Sequence, residues 1–159
     1  MAGELYTRWS PKYYVVRVAS LFGVAGASGK GGNFVETMIK KAKNNEVIRV
    51  VDDMWMSTTY TRDAASAIKK ILELELPFGV YHVTNRGFCT WFQFAKEIFN
   101  QLDLNPVLEP IRTSDLEMKA KRPRFSALAS VKLSKYGIFM RSWKEALHDY
   151  LVEKGYLRT

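Results

Sequence analysis

Asp52 and Asp53 close the β-branched run Val47–Val51, and Trp55, Thr58, Thr59 and Tyr60 follow just before a helical pattern that begins near Thr61. Carboxylates and hydroxyls at the exit of a strand are the groups with which α/β proteins bind a polyol or a nucleotide. Asp52 and Asp53 could accept hydrogen bonds from sugar hydroxyls or base N–H groups. Adjacent carboxylates also order their own loop by accepting backbone N–H groups, and the sequence leaves both uses open. Tyr150 and Lys154 have the spacing of a proton-donating tyrosine with a lysine that lowers its pKa. The i,i+4 separation puts both on one helical face, but no cofactor fold precedes them. They are read as part of an amphipathic C-terminal helix, and no catalytic residue is assigned. His82 sits inside a strand pattern and His148 on the solvent side of a helix, each without a nucleophile or acid in view.

The stretch Gly23–Gly32, GVAGASGKGG, invites a phosphate-binding reading. The spacing G-x-x-x-x-G-K-[ST] fails, because position 24 is valine and Lys30 precedes a glycine, and no G-x-G-x-x-G follows a strand. A narrower role remains: the loop's N–H groups and Asn33, at a helix N-terminus, could meet a ligand phosphate. The plain alternative is that Asn33 only caps its helix.

The elements that must position these groups are legible. Asn33 with Glu36, Thr90 with Gln93 and Ser142 with Glu145 have capping-box spacing, each ahead of an apolar-periodic stretch. Gly155 closes the last helix, and Thr61 is expected to cap a further one carrying Ala64, Ala67, Ile68, Ile71 and Leu72 on its buried side. Strands are predicted at Tyr13–Val18, Val47–Val51 and Val80–Thr84, with a weaker one at Val107–Ile111 and an irregular tail from Pro106 to Tyr136. Alternation of strand and helix predicts an α/β fold with helices covering a largely parallel sheet. The 159 residues, 47% apolar, suit one compact domain, 1–159.

Composition narrows the function classes. The single cysteine, Cys89, rules out an internal disulfide and argues for a reducing, cytoplasmic setting. Val18–Ala25 is apolar but far too short to span a bilayer, and it reads as the exit of a strand rather than a signal segment. A formal charge of +8 suits an acidic ligand, a membrane surface or nucleic acid. The cations are scattered and carry no nucleic-acid-binding motif, so nucleic acid is the weakest of these.

Taken together, RVASLFG (Arg17–Gly23), GKGGNFVETM (Gly29–Met38), VVDD (Val50–Asp53), TYTRDAA (Thr59–Ala65), GVYHVTNRGFCTWFQFAKEIF (Gly79–Phe99), KRPRFSAL (Lys121–Leu128) and SWKEAL (Ser142–Leu147) resemble one family. In order and spacing they resemble the C-terminal half of dTDP-4-dehydrorhamnose reductases, which are extended short-chain dehydrogenases. The resemblance implies a substrate-binding lobe together with part of a Rossmann-type parallel sheet. It starts past the point where that family keeps its NADPH fold and its Tyr-x-x-x-Lys pair, so a dTDP-sugar-binding lobe inactive by itself is expected, with NADPH as the family's cofactor but not held by these residues alone. A non-catalytic interaction or regulatory module is the alternative.

By the same resemblance, Asn33 and the preceding loop face the diphosphate, Thr59 and Tyr60 lie near the sugar or nucleotide, Arg122 binds phosphate, and Ser20 lies toward the cofactor. Arginine suits phosphate through bidentate, charge-assisted hydrogen bonds. The family's usual tryptophan is replaced by Ser20, which removes a stacking contact, and its usual proline by Thr58, which loosens the turn before Thr59. A lobe of this kind would expose the edge of the Tyr13–Val18 strand. A homo-oligomer or a complementing N-terminal half is therefore expected.

Overall fold

A computed structural model describes residues 2–7, 9–26, 32–117 and 120–158. The centre of the glycine-rich loop, residues 27–31, lies outside that set. In chain order the elements are α1 (Ala2–Thr7), β1 (Tyr14–Arg17), β2 (Leu21–Phe22), α2 (Phe34–Lys43), β3 (Ile48–Val51), β4 (Trp55–Met56), β5 (Thr59–Tyr60), α3 (Thr61–Glu73), β6 (Gly79–His82), β7 (Cys89–Thr90), α4 (Trp91–Gln101), β8 (Leu108–Ile111), α5 (Val131–Ser134) and α6 (Trp143–Glu153). The strands form pairs: β1 with β6, β2 with β5 and β3 with β8 run parallel, and β4 with β7 runs antiparallel. The α/β alternation read from the sequence is the observed class, and the four longer strands fall where the β-branched runs place them.

The caps act as the spacing predicts. The Asn33 side chain accepts from Glu36 N, and Thr90 and Ser142 each form a full capping box. Gly155, at φ 76°, supplies the left-handed residue that ends α6. The cap of α3 is a correction. Tyr60 takes the N-cap position with no side-chain hydrogen bond, and Thr61 is already the first helical residue. Tyr60 is held by its pairing with Phe22, so the sheet sets the start of that helix and no hydroxyl is needed there.

Two apolar cores result. The larger one joins α2, α4 and α6 around Phe22, Ile39, Ile48, Phe94, Ile98 and Leu147. The smaller one packs α3 and α5 on β6 through Ala67, Ile71, Tyr81 and Leu133. Both draw on residues spaced three and four apart along their helices, so each helix buries one stripe and leaves its charged face to water; Leu72, expected on the buried side of α3, lies off the Ala64, Ala67 and Ile71 stripe and is exposed. Trp91 belongs to the first core, half-buried with its ring 4.7 Å from Phe34. Among the described residues, no helix is long and apolar enough to cross a membrane.

Candidate functional site

The acidic pair sits where β3 ends, beside its parallel partner β8. Asp52 Oδ1 accepts the Thr90 hydroxyl at 2.5 Å, while the Asp52 N–H donates to Ile111 O. Asp53 Oδ1 accepts both the N–H and the hydroxyl of Thr113, at 2.9 and 2.5 Å. The Thr113 hydroxyl is the main reason its carboxyl titrates below the ordinary range, and Arg124 adds to the effect. The loop-ordering use of these carboxylates is thus present in the structure, and it fixes the direction in which each remaining oxygen points.

A second chain segment is sewn onto this one. Trp55 N–H donates to Arg124 O at 2.8 Å, and Ser126 N–H donates to Trp55 O at 2.9 Å. The buried Ser57 hydroxyl accepts from Leu128 N–H and donates to Leu128 O. These bonds bring Arg124, the last cation of the basic run Lys121, Arg122 and Arg124, beside the acidic turn, although about 70 residues separate the two in sequence. Arg122 is exposed, and its side chain makes no hydrogen bond or ion pair with another described residue. Trp55, Phe88 and Phe125 form a chain of edge-to-face rings in the same place, with centroids 5.6 and 5.8 Å apart.

The other residues singled out from the sequence lie deeper. The Thr59 hydroxyl donates to Ala19 O at 2.7 Å, and its N–H donates to the carbonyl of Ser20, whose φ is 42°. Tyr60 is buried. Its hydroxyl donates to Glu153, and burial with that contact pushes its pKa up to about 12. Asn33 spends its side chain inside the protein: Oδ1 caps α2, and Nδ2 donates to Gly23 O at 3.0 Å and to the Tyr150 hydroxyl at 3.1 Å. The start of α4 lies between the two groups, with Thr90 on Asp52 and Trp91 against Phe34. An open cleft beside Asn33 is lined by Leu21, Phe34, Lys40, Lys41 and Trp91.

Tyr150 and Lys154 do share a helical face, and both turn to Glu36. The Tyr150 hydroxyl donates to Glu36 Oε1, Tyr156 donates to Oε2 at 2.7 Å, and Lys154 Nζ stands 3.7 Å from Oε1. Burial and the bond to Glu36 raise the Tyr150 pKa, the opposite of what a proton donor near neutral pH requires. The pair latches α6 to α2.

Sequence reasoning missed Phe88, Phe125 and the buried Asn85. The Asn85 amide accepts Tyr60 N–H at 2.8 Å and donates to Asp63 at 2.6 Å, and Asp63 takes a two-pronged ion pair from Arg141. No local pattern marks these residues, because their partners come from other elements. Phosphate cradles of dinucleotides need a strand, a glycine turn and a helix in succession. Here β1 leads into β2, β3 into β4 and β6 into β7, and the glycine loop after β2 lacks the spacing. A cradle of that kind is not found among the described residues.

The fold and site define a lobe of the extended short-chain dehydrogenase type. Residues 1–155 match the model of the RmlD substrate binding domain, and the chain belongs to that family. It is 37% identical over 141 residues to the spore coat polysaccharide biosynthesis protein SpsK of Bacillus subtilis strain 168, covering 89% of this chain and 47% of that protein. It is 34% identical over 152 residues to the dTDP-4-dehydrorhamnose reductase of Aggregatibacter actinomycetemcomitans, covering 88% of this chain and 50% of the relative. The crystal structure of the Bacillus anthracis dTDP-4-dehydrorhamnose reductase, solved in complex with NADP, superimposes with a TM-score of 0.87 at 37% identity, over 96% of this chain and 53% of that one. The chain thus spans about half the length of the curated relatives it matches.

Proposed function

We propose that this chain is the sugar-nucleotide-binding lobe of an NADPH-dependent dTDP-4-dehydrorhamnose reductase, in a reducing, cytoplasmic setting, and that it takes a dTDP-sugar. One observation carries the reading: the basic segment that ends in Arg124 is stitched to Trp55, beside two oriented carboxylates at the exit of a parallel strand pair, and Arg122, two residues before it, has no side-chain partner among the described residues. In this reading Arg122 grips a phosphate by bidentate hydrogen bonds. Thr90 and Thr113 bond to Oδ1 of Asp52 and Asp53, so Oδ2 of each is the acceptor for a sugar hydroxyl or base N–H. The N–H groups that open α2, the helix Asn33 caps, are assigned to the diphosphate, with Lys40 and Lys41 on the same cleft. Thr59 and Tyr60 form the buried floor beneath the ligand, and Ser20 backs that floor through Thr59. Hydride and proton transfer are assigned to an NADPH-binding fold packed against this lobe, and no step of the reduction is routed through these residues.

Titration with dTDP, followed by the fluorescence of the four tryptophans, tests the reading. Saturable binding without NADPH oxidation is the expected result, and Arg122→Ala should weaken it about 10-fold, the loss of one or two charge-assisted hydrogen bonds. Absence of binding at millimolar dTDP would overturn the reading in favour of a non-catalytic interaction module. Oxidation of NADPH by the pure chain would overturn the division of labour.

A further inference from the structure

Arg17 and His82 are the last residues of β1 and β6, side by side across the parallel pair. The carboxyl ends of parallel strands are where open α/β sheets receive their ligands. An open cleft of about 580 Å³ lies there, lined by Arg17 and His82 from the strands and by Lys132 and Lys135 from α5 and its C-cap. It shares no residue with the cleft beside Asn33. Four basic side chains thus converge, and among the described residues no carboxylate lines the cleft. Glu4 offsets one of them, accepting from Nε and Nη2 of Arg17 at 2.9 and 2.5 Å. Arg17 Nη1 stands 3.4 Å from His82 Nε2; a guanidinium only donates, so Nε2 accepts and carries no proton. The two lysines stay uncompensated. Lys132 Nζ lies 3.8 Å from the centre of the Tyr81 ring and donates to Val80 O at 3.5 Å, contacts that fix the ammonium without cancelling its charge. Lys135 is exposed, and its side chain makes no hydrogen bond or ion pair with another described residue.

We propose that this cleft binds the dianionic phosphate group of an organic monoester. Two ammonium groups without a carboxylate balance two negative charges, whereas a carboxylate ligand would leave one of them unmatched. A cleft lined by one sign of charge also concentrates the field that draws such an anion in, and lysine binds phosphate as a compact point charge. Val80, Ala129 and Val131 supply an apolar wall beside the cations, with Val131 61% exposed. The body of an ester would cover that wall, and free phosphate would leave it wet. The site stands apart from the dTDP-sugar reading and does not rest on it.

Isothermal titration of the chain with phenyl phosphate and with inorganic phosphate tests the site. Phenyl phosphate should bind more tightly than inorganic phosphate, and Lys135→Gln should weaken it about 10-fold, the loss of one hydrogen bond to a charged group. Lys135 bonds to nothing else described, so this variant does not act through the fold. Lys132→Gln combined with Lys135→Gln should abolish binding. Lys69→Gln combined with Lys70→Gln, which removes two exposed cations from α3 instead, should leave it unchanged. Wild-type affinity in the α5 pair of substitutions overturns the site. So does an equal loss in the α3 pair, because binding would then follow the overall charge of +8. Phenyl phosphate held no more tightly than inorganic phosphate overturns the ester in favour of the free anion, and no binding of either at millimolar concentration overturns the site outright. Loss of dTDP binding along with phenyl phosphate in the α5 pair would overturn its separation from the sugar-nucleotide site.

Discussion

Thr58 is fully buried, and its hydroxyl has no hydrogen-bond partner among the described residues. A buried polar group without a partner forfeits its hydration and gets nothing in return. Thr58→Val removes the orphaned hydroxyl and keeps the branched shape, so it should raise stability by about 1 kcal/mol, or about 2–4 °C in Tm for a chain of this size. Scanning calorimetry checks the sign, and a lower Tm would mean that a hydration site satisfies the hydroxyl. At the same scale the tyrosines report on pH. Burial and the Glu153 contact push Tyr60 up to about 12, and the bond to Glu36 with burial pushes Tyr156 to about 12, against an ordinary value of 10.0. A raised folded pKa means stability that is complete below pH 10 and drains away as pH climbs toward 12. Melting temperatures across that range should fall more steeply for the wild type than for Tyr60→Phe or Tyr156→Phe.

Helix α6 is tied to its neighbours by two polar latches. At one end Glu36 collects Tyr150, Tyr156 and Lys154; burial works to raise its pKa, but these partners outweigh it and hold the carboxyl below its ordinary range. At the other, Arg141 spans Asp63 of α3 and Asp149 of α6, while Asp63 also accepts from Asn85. Removing Asp63 takes the two-pronged partner from Arg141, leaving it Asp149, and takes the shorter of two acceptors from the buried Asn85 amide. Asp63→Ala should therefore cost about 2–3 kcal/mol, by the scale of hydrogen bonds to charged groups, as read from urea unfolding. Arg141→Lys should recover little of the loss made by Arg141→Ala, because an ammonium cannot reproduce the two-pronged geometry. Equal stability of the lysine variant and the wild type would count against that geometry.

Across the whole molecule, β1 pairs with β6 alone among the described residues. A strand bonded on one side presents a row of unpaired backbone groups on the other, and such edges recruit strands. The partner proposed for it is the NADPH-binding half of the reductase or a second copy of this chain. Light scattering at micromolar concentration should then find a dimer, or a complex once a separate NADPH-binding half is supplied. A monodisperse monomer that ignores that half would refute the proposal.

The sequence by itself determined the class of fold, the positions of the longer strands, and the caps of α2, α4 and α6, because β-branched runs, helical periodicity and capping boxes are local and act within four or five residues. It marked the family as well, since the order of several motifs survives at 37% identity. Tertiary structure alone decided the rest. The start of α3 is set by a strand partner, Phe22, and not by the threonine beside it. Asp52 and Asp53 are aimed by hydroxyls of Thr90 and Thr113, tens of residues away. Tyr150 and Lys154 carry the spacing of a catalytic pair, but a carboxylate on another helix gives them a different use. Phe88 and Phe125 meet only because one loop is stitched to a distant strand. Contacts of that kind are written in the pairing of elements, and no window along the chain contains both partners.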